Sequence, residues 1–552
     1  MKHHTIYKVF ITLGLVILFG CEKPKSTERE YPTTSVEPYL DLELTDAERD
    51  SLQTDLEEYQ KSYIALHARN ITNDVPMSLV FDPLPLDYTF DQHQKPVNWD
   101  LPKDVQLPTN REELAFYPVY KLAVLIKNKK ITSTELTRLY LNRLKKYGDK
   151  LQCVITITEA VAFAQAQRAD DEIAKGKYRG PLHGIPYGIK DLLAVEGTKT
   201  TWGAEPFKEQ VIDQTATVVR KLEDAGAVLV AKLTMGALAM GDIWYGGVTK
   251  NPWNLEQGSS GSSAGSAAAT SAGLVAFSIG TETWGSIVSP ATRCGVTGLR
   301  PSFGMVSRHG AMALCWSMDK IGPICRSALD CALVLSSMKG KDERDRSTRE
   351  AAFNYQAQAD VKKLKVGYLK SLFEADYPTK SNDQKVLAIL DSLGIELHPV
   401  ELPMNFPMDA LAIILSAESA AAFDELTRSN RDSLLSNQKK GAWPNIFRAA
   451  RFIPAVEYIN ATRIRQQLIE AYHKQTSDFD VIVAPSFGGN QLLMTNLTGH
   501  PCVVVPNGFN DKASPSSISF LGRLYGEAAV VSLARTYQEA TNWDEKTPAG
   551  FN

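Results

Sequence analysis

Lys190 stands inside an apolar, strand-like run, Pro181–Leu193 (PLHGIPYGIKDLL), shortly after two prolines. A lysine in such a run commonly snorkels, laying its methylenes on apolar surface and its ammonium in water. One held away from water has its charged form disfavoured and its pKa lowered, and a neutral lysine can serve as a general base. The second unusual stretch, Gly258–Gly304, opens GSSGSSAGSAAATSAGLVAFSIG. A flexible linker has this composition, but this stretch passes directly into Ala267–Ala269 and the apolar Leu274–Ile279. Small residues this dense beside core elements point to backbone that approaches a ligand closely and leaves N–H donors exposed.

Two nucleophile patterns occur in this region or near it. Gly261–Gly265 fits G-x-S-x-G, with Ser263 as the nucleophile of an α/β-hydrolase-type esterase. That motif requires a strand immediately before it, and Asn251–Gln257 (NPWNLEQ) reads as turn-like; the histidines downstream (His309, His398, His473, His500) have no distinguishing context. Ser336–Lys339 fits S-x-x-K, but no Ser-Asp-Asn or Lys-Thr-Gly accompanies it, and it reads as the end of a helix begun near Ser327. His183 reads as packing beside the lysine loop, and Asp191 and Glu196 as loop or cap residues. No HExxH, paired CxxC or P-loop is present, so neither metal nor nucleotide chemistry has support.

The elements that must position these residues alternate. Leu122–Ile126, Thr132–Tyr147 and Ala160–Lys175 carry helical spacing, with Thr132 or Ser133 as an N-cap before Glu135. Short apolar runs at Val228–Ala231, Leu274–Ile279, Leu364–Tyr368, Val481–Ala484 and Val503–Val505 read as buried strands. Helices interleaved with such strands predict an α/β fold: a single large domain with a mixed central sheet covered by helices on both faces. Upstream, Asp46–Leu66 has apolar residues at helical spacing (Leu52, Leu56, Tyr59, Tyr63, Leu66). Asp82–Pro108 is proline-rich and reads as irregular chain wrapped over the main domain.

The chain's 552 residues carry 60 Lys and Arg against 63 Asp and Glu, a net charge of −3, which gives no global electrostatic case for nucleic acid. A hydrophobic fraction of 44% excludes disorder across the whole length. At the N-terminus, Lys2 and Lys8 flank a short basic opening, and the Val9–Gly20 run that follows (VFITLGLVILFG) is almost wholly apolar. Twelve residues rise about 18 Å, short of the ~20 apolar residues that span a bilayer, so the segment reads as a secretory signal. Leu18–Cys21 (LFGC) is similar to the lipobox of bacterial lipoproteins, which implies lipidation at Cys21. Residues 22–45, rich in Pro, Ser, Thr and Glu, suit an extended tether. The other six cysteines form no CxxC pair and support neither a disulfide framework nor a metal site.

Three ordered motifs carry a family resemblance over about residues 112–545. Pro181–Asp191 matches a lysine motif of the form PLxGIPxxxKD, Ser260–Ala269 a Gly/Ser motif of the form GGSSGGSAAA, and Gly280–Pro301 (GTETWGSIVSPATRCGVTGLRP) a nucleophile motif. Ser307–His309, Asp319–Pro323 and Asn496–Pro501 are also similar to the family. The chain thereby resembles the amidase signature family, whose members include fatty-acid amide hydrolases, peptide amidases and the glutamyl-tRNA amidotransferase A subunit. Carried over, the resemblance implies Ser286 as nucleophile, Ser262 as a bridging serine on a cis peptide and Lys190 as base. It implies an oxyanion hole from the backbone N–H groups of Thr283, Trp284, Gly285 and Ser286, no cofactor, and a small-molecule or peptide amide as substrate.

Three positions depart from the family pattern. Trp284 replaces a usual glycine, and its indole is expected to narrow or line the pocket. Glu282 replaces an aspartate, and Val288 an arginine that could pair with a substrate carboxylate, so a neutral or apolar acyl group is expected. The expected organisation is a signal peptide over 1–20, a tether over 21–45, a helical and irregular extension over 46–110 and an amidase domain over 111–545. The expected protein is an exported amidohydrolase, without nucleic acid as a partner, attached to the cell envelope by its lipid alone. The rival non-enzyme reading is a ligand-binding lipoprotein on the same fold; the retention of Ser286, Ser262 and Lys190 argues against it. A tRNA amidotransferase component would need cytosolic partners, which an export signal opposes.

Overall fold

The computed structural model describes residues 31–69 and 71–551, and the chain divides into two units, residues 1–71 and 72–552. In the first, Asp46–His67 is one helix, as the apolar spacing predicts, and none of its residues is buried. Thr45 and Glu48 close a capping box at its start: the Thr45 hydroxyl accepts from the Glu48 N–H, and the Glu48 carboxylate accepts from the Thr45 N–H. The expected signal segment, Cys21 and the start of the tether lie outside the described residues. No described helix is long and apolar enough to cross a membrane.

The strands of the second unit are β1 (Val154–Ile157), β2 (Pro186–Lys190), β3 (Val228–Leu233), β4 (Ile243–Trp244), β5 (Gly247–Val248), β6 (Lys250–Asn251), β7 (Asn254–Gly258), β8 (Phe277–Glu282), β9 (Thr297–Arg300), β10 (Lys320–Cys325), β11 (Val366–Leu369), β12 (Leu397–Val400), β13 (Val481–Pro485), β14 (Cys502–Phe509) and β15 (Pro515–Gly522). Eleven of them form one sheet in the order β1-β3-β2-β8-β10-β9-β14-β15-β13-β11-β12. The β3-β2-β8 and β13-β11-β12 pairings are parallel and the others antiparallel, so the sheet is mixed as expected.

Continuous apolar runs become strands with two buried faces. Along β14, Val503 and Val505 enter one core cluster while Cys502 and Val504 enter the other; along β13, Val481 and Val483 oppose Ile482 and Ala484 in the same way. Helices Val119–Lys127, Ala328–Met338 and Glu527–Thr541 cover the first face. Helices Ala264–Ser271, Val288–Cys294 and Ala455–Thr476 cover the second. Residues 82–108 are irregular and lie on the first core, where Trp99 stacks on Tyr355 at 5.4 Å between ring centroids. The six described cysteines are buried free thiols.

Two local expectations shift. The strand expected at Leu274–Ile279 runs Phe277–Glu282, because Leu274 is consumed in closing the preceding helix, its N–H bonding to the Ala269 carbonyl at 2.8 Å. The turn-like Asn251–Gln257 is the short β6–β7 hairpin about Pro252-Trp253. Ser336–Met338 ends a helix as expected, Ala328–Met338, capped by Ser327.

Candidate active site

Neighbouring strands bring the two unusual stretches together. β2 and β8 pair in parallel, Ile189 opposite Ile279, so Lys190 at the end of β2 lies beside the Thr281 segment of β8. The helix Ala264–Ser271 packs over both, and every one of its residues is buried. Its small side chains answer that packing. Ser266 Oγ donates to the Ile279 carbonyl at 3.0 Å, and Ser278 Oγ donates back to the Ser266 carbonyl at 2.8 Å. Much of the Gly/Ser/Ala composition therefore seats a helix against β8, with only the loop before it left for chemistry. In that loop a Cβ on Gly261 would sit 1.8 Å from the Gly241 carbonyl oxygen, so only glycine fits. The Gly261–Ser262 peptide is cis, as the resemblance implied.

Lys190 does not snorkel. It is fully buried, and its Nζ reaches Ser262 Oγ at 2.7 Å, Thr281 Oγ1 at 2.9 Å and Ser263 Oγ at 3.2 Å. Burial pulls its pKa down to about 7, against a smaller upward pull from the carboxylates of Asp319 and Glu282. The neutral amine needed of a base is thus accessible near neutral pH. Ser263 is the scaffold of the cluster: its Oγ donates to the Thr281 carbonyl at 3.0 Å and its N–H to the Ser286 carbonyl at 3.1 Å. A wholly buried hydroxyl so committed, with no histidine among its described partners, does not serve the esterase reading.

Ser286 lies in the turn between β8 and the helix Val288–Cys294. Its hydroxyl makes no hydrogen bond to Ser262, so of the two links in the expected relay the structure contains the one from Lys190 to Ser262. The N–H groups of Thr283, Trp284, Gly285 and Ser286 donate to no protein acceptor among the described residues, which leaves them available to an incoming oxyanion. Gly285 has φ +85°, the left-handed region that lets the turn present them. Trp284 is 44% exposed, and its backbone N–H remains unpaired among the described residues. Val288 is buried in the core, so it neither pairs with nor repels a substrate group.

Glu282 holds this turn in place. It is buried, and its carboxylate accepts from the Ile287 N–H at 2.8 Å, the Val288 N–H at 2.9 Å, Asn496 at 2.9 Å and Arg300 at 2.7 Å. Burial pushes its pKa up, but Arg300 and these donors together bring it below the ordinary value. Exchange of the usual aspartate for glutamate is therefore built into a four-partner network. Glu282→Gln is expected to cost about 3 kcal/mol or more of stability, since an uncompensated Arg300 remains buried, and to lower kcat by misplacing the turn. A denaturant melt alongside steady-state kinetics checks both; unchanged values would show that the carboxylate is dispensable.

Other residues at the site lie inside the motif stretches but carry no role that the motifs assign. Thr281 shares the lysine, Arg300 stands near the end of the same nucleophile motif, and Asn496 comes from the distant Asn496–Pro501 stretch. Lys232 pairs at 2.9 Å with Asp191, the residue next to Lys190, both side chains fully buried. Lys320 is a third buried lysine, with pKa lowered to about 7 by desolvation, and it donates to the Met318 carbonyl. The alternation of β10 with its partner β8, Lys320 opposite Glu282, puts it there. His183 is buried and structural, accepting from the Arg179 N–H at 3.1 Å; Glu196 is exposed. A cavity of about 410 Å³ begins at Thr281 and Thr283 and runs past Asp319 and Lys320. A larger one, about 700 Å³, lies along the helix Val288–Cys294 and does not include β8 in its walls.

A buried lysine at the end of β2 thus meets a serine in the loop before the helix Ala264–Ser271, with free N–H groups in the turn after β8. The family model described as Amidase matches residues 135–500. The chain belongs to the amidase family. Among its curated relatives, the A subunit of glutamyl-tRNA(Gln) amidotransferase from Marinomonas sp. (strain MWYL1) is 34% identical over 475 residues, covering 77% of this chain and 97% of the relative. The solved structure of native peptide amidase from Stenotrophomonas maltophilia is 29% identical, with a TM-score of 0.69 over 78% of this chain and 98% of that one. The A subunit of glutamyl-tRNA(Gln) amidotransferase from Thermotoga maritima gives 25% identity and a TM-score of 0.66, over 79% and 96%. This member of the amidase family has the amidase signature fold in a single α/β domain and is an enzyme of amide C–N bonds, a hydrolase or an amidotransferase.

Proposed function

We propose that this chain is an amidohydrolase that cleaves a carboxylic amide through an acyl-enzyme on Ser286. The observation that supports it most is the fully buried Lys190 amine 2.7 Å from Ser262 Oγ. In the reaction, neutral Lys190 accepts a proton from Ser262 as Ser262 accepts one from Ser286, and the Ser286 oxygen bonds to the amide carbon. The carbonyl electron pair moves onto oxygen, facing the N–H groups of Thr283–Ser286; one such donor is worth about 3 kcal/mol in the transition state. Collapse breaks the C–N bond, the relay returns the proton to the leaving nitrogen, and water then hydrolyses the ester by the same relay. The Ser262–Ser286 hydrogen bond forms with substrate bound, as catalytic hydrogen bonds commonly tighten only in that complex.

A fluorophosphonate probe followed by mass-spectrometric mapping tests the nucleophile: the adduct is expected on Ser286, and an adduct on Ser263 would return the esterase reading. Hydrolysis by the purified single chain separates this reading from a protein that works only in an assembly.

We also propose export and lipid anchoring at Cys21, on the strength of the basic start, the apolar Val9–Gly20 and the Leu18–Cys21 motif. The chain is then expected to partition with membranes when expressed with its leader, and Cys21→Ser to release it to the soluble fraction. Unchanged partitioning would remove the anchor.

A further inference from the structure

The segment Asn73–Phe81 lies well before the residues that the family model matches, yet it forms part of the wall of the cavity that begins at Thr281 and Thr283. It is fastened at both ends. Asn73 Nδ2 donates to the Ala313 carbonyl at 2.9 Å and to the Ala422 carbonyl at 3.3 Å, while its Oδ1 accepts from the Ala313 N–H at 2.8 Å. At the other end Phe81 packs edge-on against Phe303 at 5.1 Å, with the Arg465 guanidinium 3.5 Å from its ring centroid. Between these fixed points the chain carries Pro76, Met77, Leu79 and Val80 across the cavity. Leu79 is 80% exposed and Val80 42%. Apolar side chains held on a pinned segment, short of contact, are placed to close on something apolar rather than on their own core.

We infer that Asn73–Phe81 is a specificity-determining strap that forms the outer wall of an acyl site, selecting amides with an apolar acyl group. This rests on Ser286 being the nucleophile. The acyl part is assigned on a physical ground. The amine must leave after the first step, whereas the acyl group stays bonded to Ser286 until water attacks, so a cavity walled by a pinned strap suits the part that stays. The same cavity is also lined by the apolar Leu192, Met312, Leu314 and Ile321, beside the charged Asp319, Lys320 and Glu343–Arg346, and its volume of about 410 Å³ holds a group of moderate size. Burying an acyl chain there raises kcat/KM by roughly fourfold per methylene, the tenfold-per-1.4 kcal/mol equivalent of transferring one methylene from water.

The test uses the full chain and alkyl fluorophosphonates from methyl to octyl, with primary amides of the same acyl lengths. Labelling of Ser286 and cleavage of amides are expected to quicken with chain length in the wild type. Leu79→Asp changes an exposed residue and leaves folding intact. It is expected to remove at least tenfold of the advantage of the longest probe while the methyl probe reacts within about twofold of wild type. Asn73→Ala, which unpins the strap, is expected to move the same long-chain values through KM with little change in kcat. A uniform loss at all lengths, or an unchanged length dependence in both variants, overturns the strap. Failure of any probe to label Ser286 overturns instead the nucleophile on which it rests, so the two failures are told apart.

Discussion

Ser286→Ala is expected to lower kcat for amide hydrolysis on the order of 10⁵-fold, the scale on which loss of a serine nucleophile acts when it works as a unit with its base. The effect is large because the alcohol cannot be replaced by water at the same place: the buried lysine is directed at the hydroxyls of Ser262, Ser263 and Thr281, not at an open site. Folding should be little altered, since the Ser286 hydroxyl bonds to none of the described residues; the serine is tied in through its carbonyl, which alanine retains. Substrate binding should survive too, because the free N–H groups of Thr283–Ser286 and the cavity walls are unchanged. The expected pattern is therefore a collapsed kcat, an unchanged melting temperature and an amide that still competes for the site. A variant with kcat within tenfold of wild type would move the nucleophile elsewhere, and a lowered melting temperature would mean that the hydroxyl does structural work.

How much of the molecule is legible in its sequence depends on what each residue is asked to do. The buried strands are readable because both faces of β13 and β14 are apolar, leaving continuous runs that only a covered sheet can use. The helix Ser133–Leu151 announces itself through Thr132 and Glu135, which form the capping box the spacing implies. Lys190, Ser262 and Ser286 emerge through motif resemblance, and the fold then places Lys190 and Ser262 in contact. The network around Glu282 is not legible: Arg300 lies 18 residues on, in β9, and Asn496 214 residues on, and their convergence depends on sheet order rather than local pattern. The Gly/Ser stretch misdirects in part, since a helix buried on all sides needs the same small residues as a ligand loop. For Trp284 the sequence suggests a wall of the pocket or a constriction, and the residue lies 44% exposed beside the left-handed Gly285.

Lys190→Met is expected to be nearly as damaging to catalysis, by about 10³-fold or more, since the relay then has no base, and its pH behaviour identifies the cause. With a pKa of about 7 in the folded chain, Lys190 is protonated and unable to accept a proton at lower pH. The wild-type kcat/KM should therefore fall about tenfold per unit below pH 7 and level off above it, and that limb should vanish in Lys190→Met. Lys320 has the same lowered value but donates to the Met318 carbonyl, away from the serines. Lys320→Met should accordingly keep the limb, and its loss there would assign the base to the wrong lysine. Stability supplies the independent sign. Between pH 7 and 10.5 the unfolded chain holds a proton on Lys190 that the folded chain lacks, so this residue makes stability rise with pH across that window. Below 7 both states are protonated and the full cost of burying the charge is present. Lys190→Met removes that cost, so its gain in melting temperature over wild type should be largest at about pH 7 and below and shrink towards about pH 10. A constant difference at every pH would mean that the folded amine titrates as it does in water, and the base would have to be sought elsewhere.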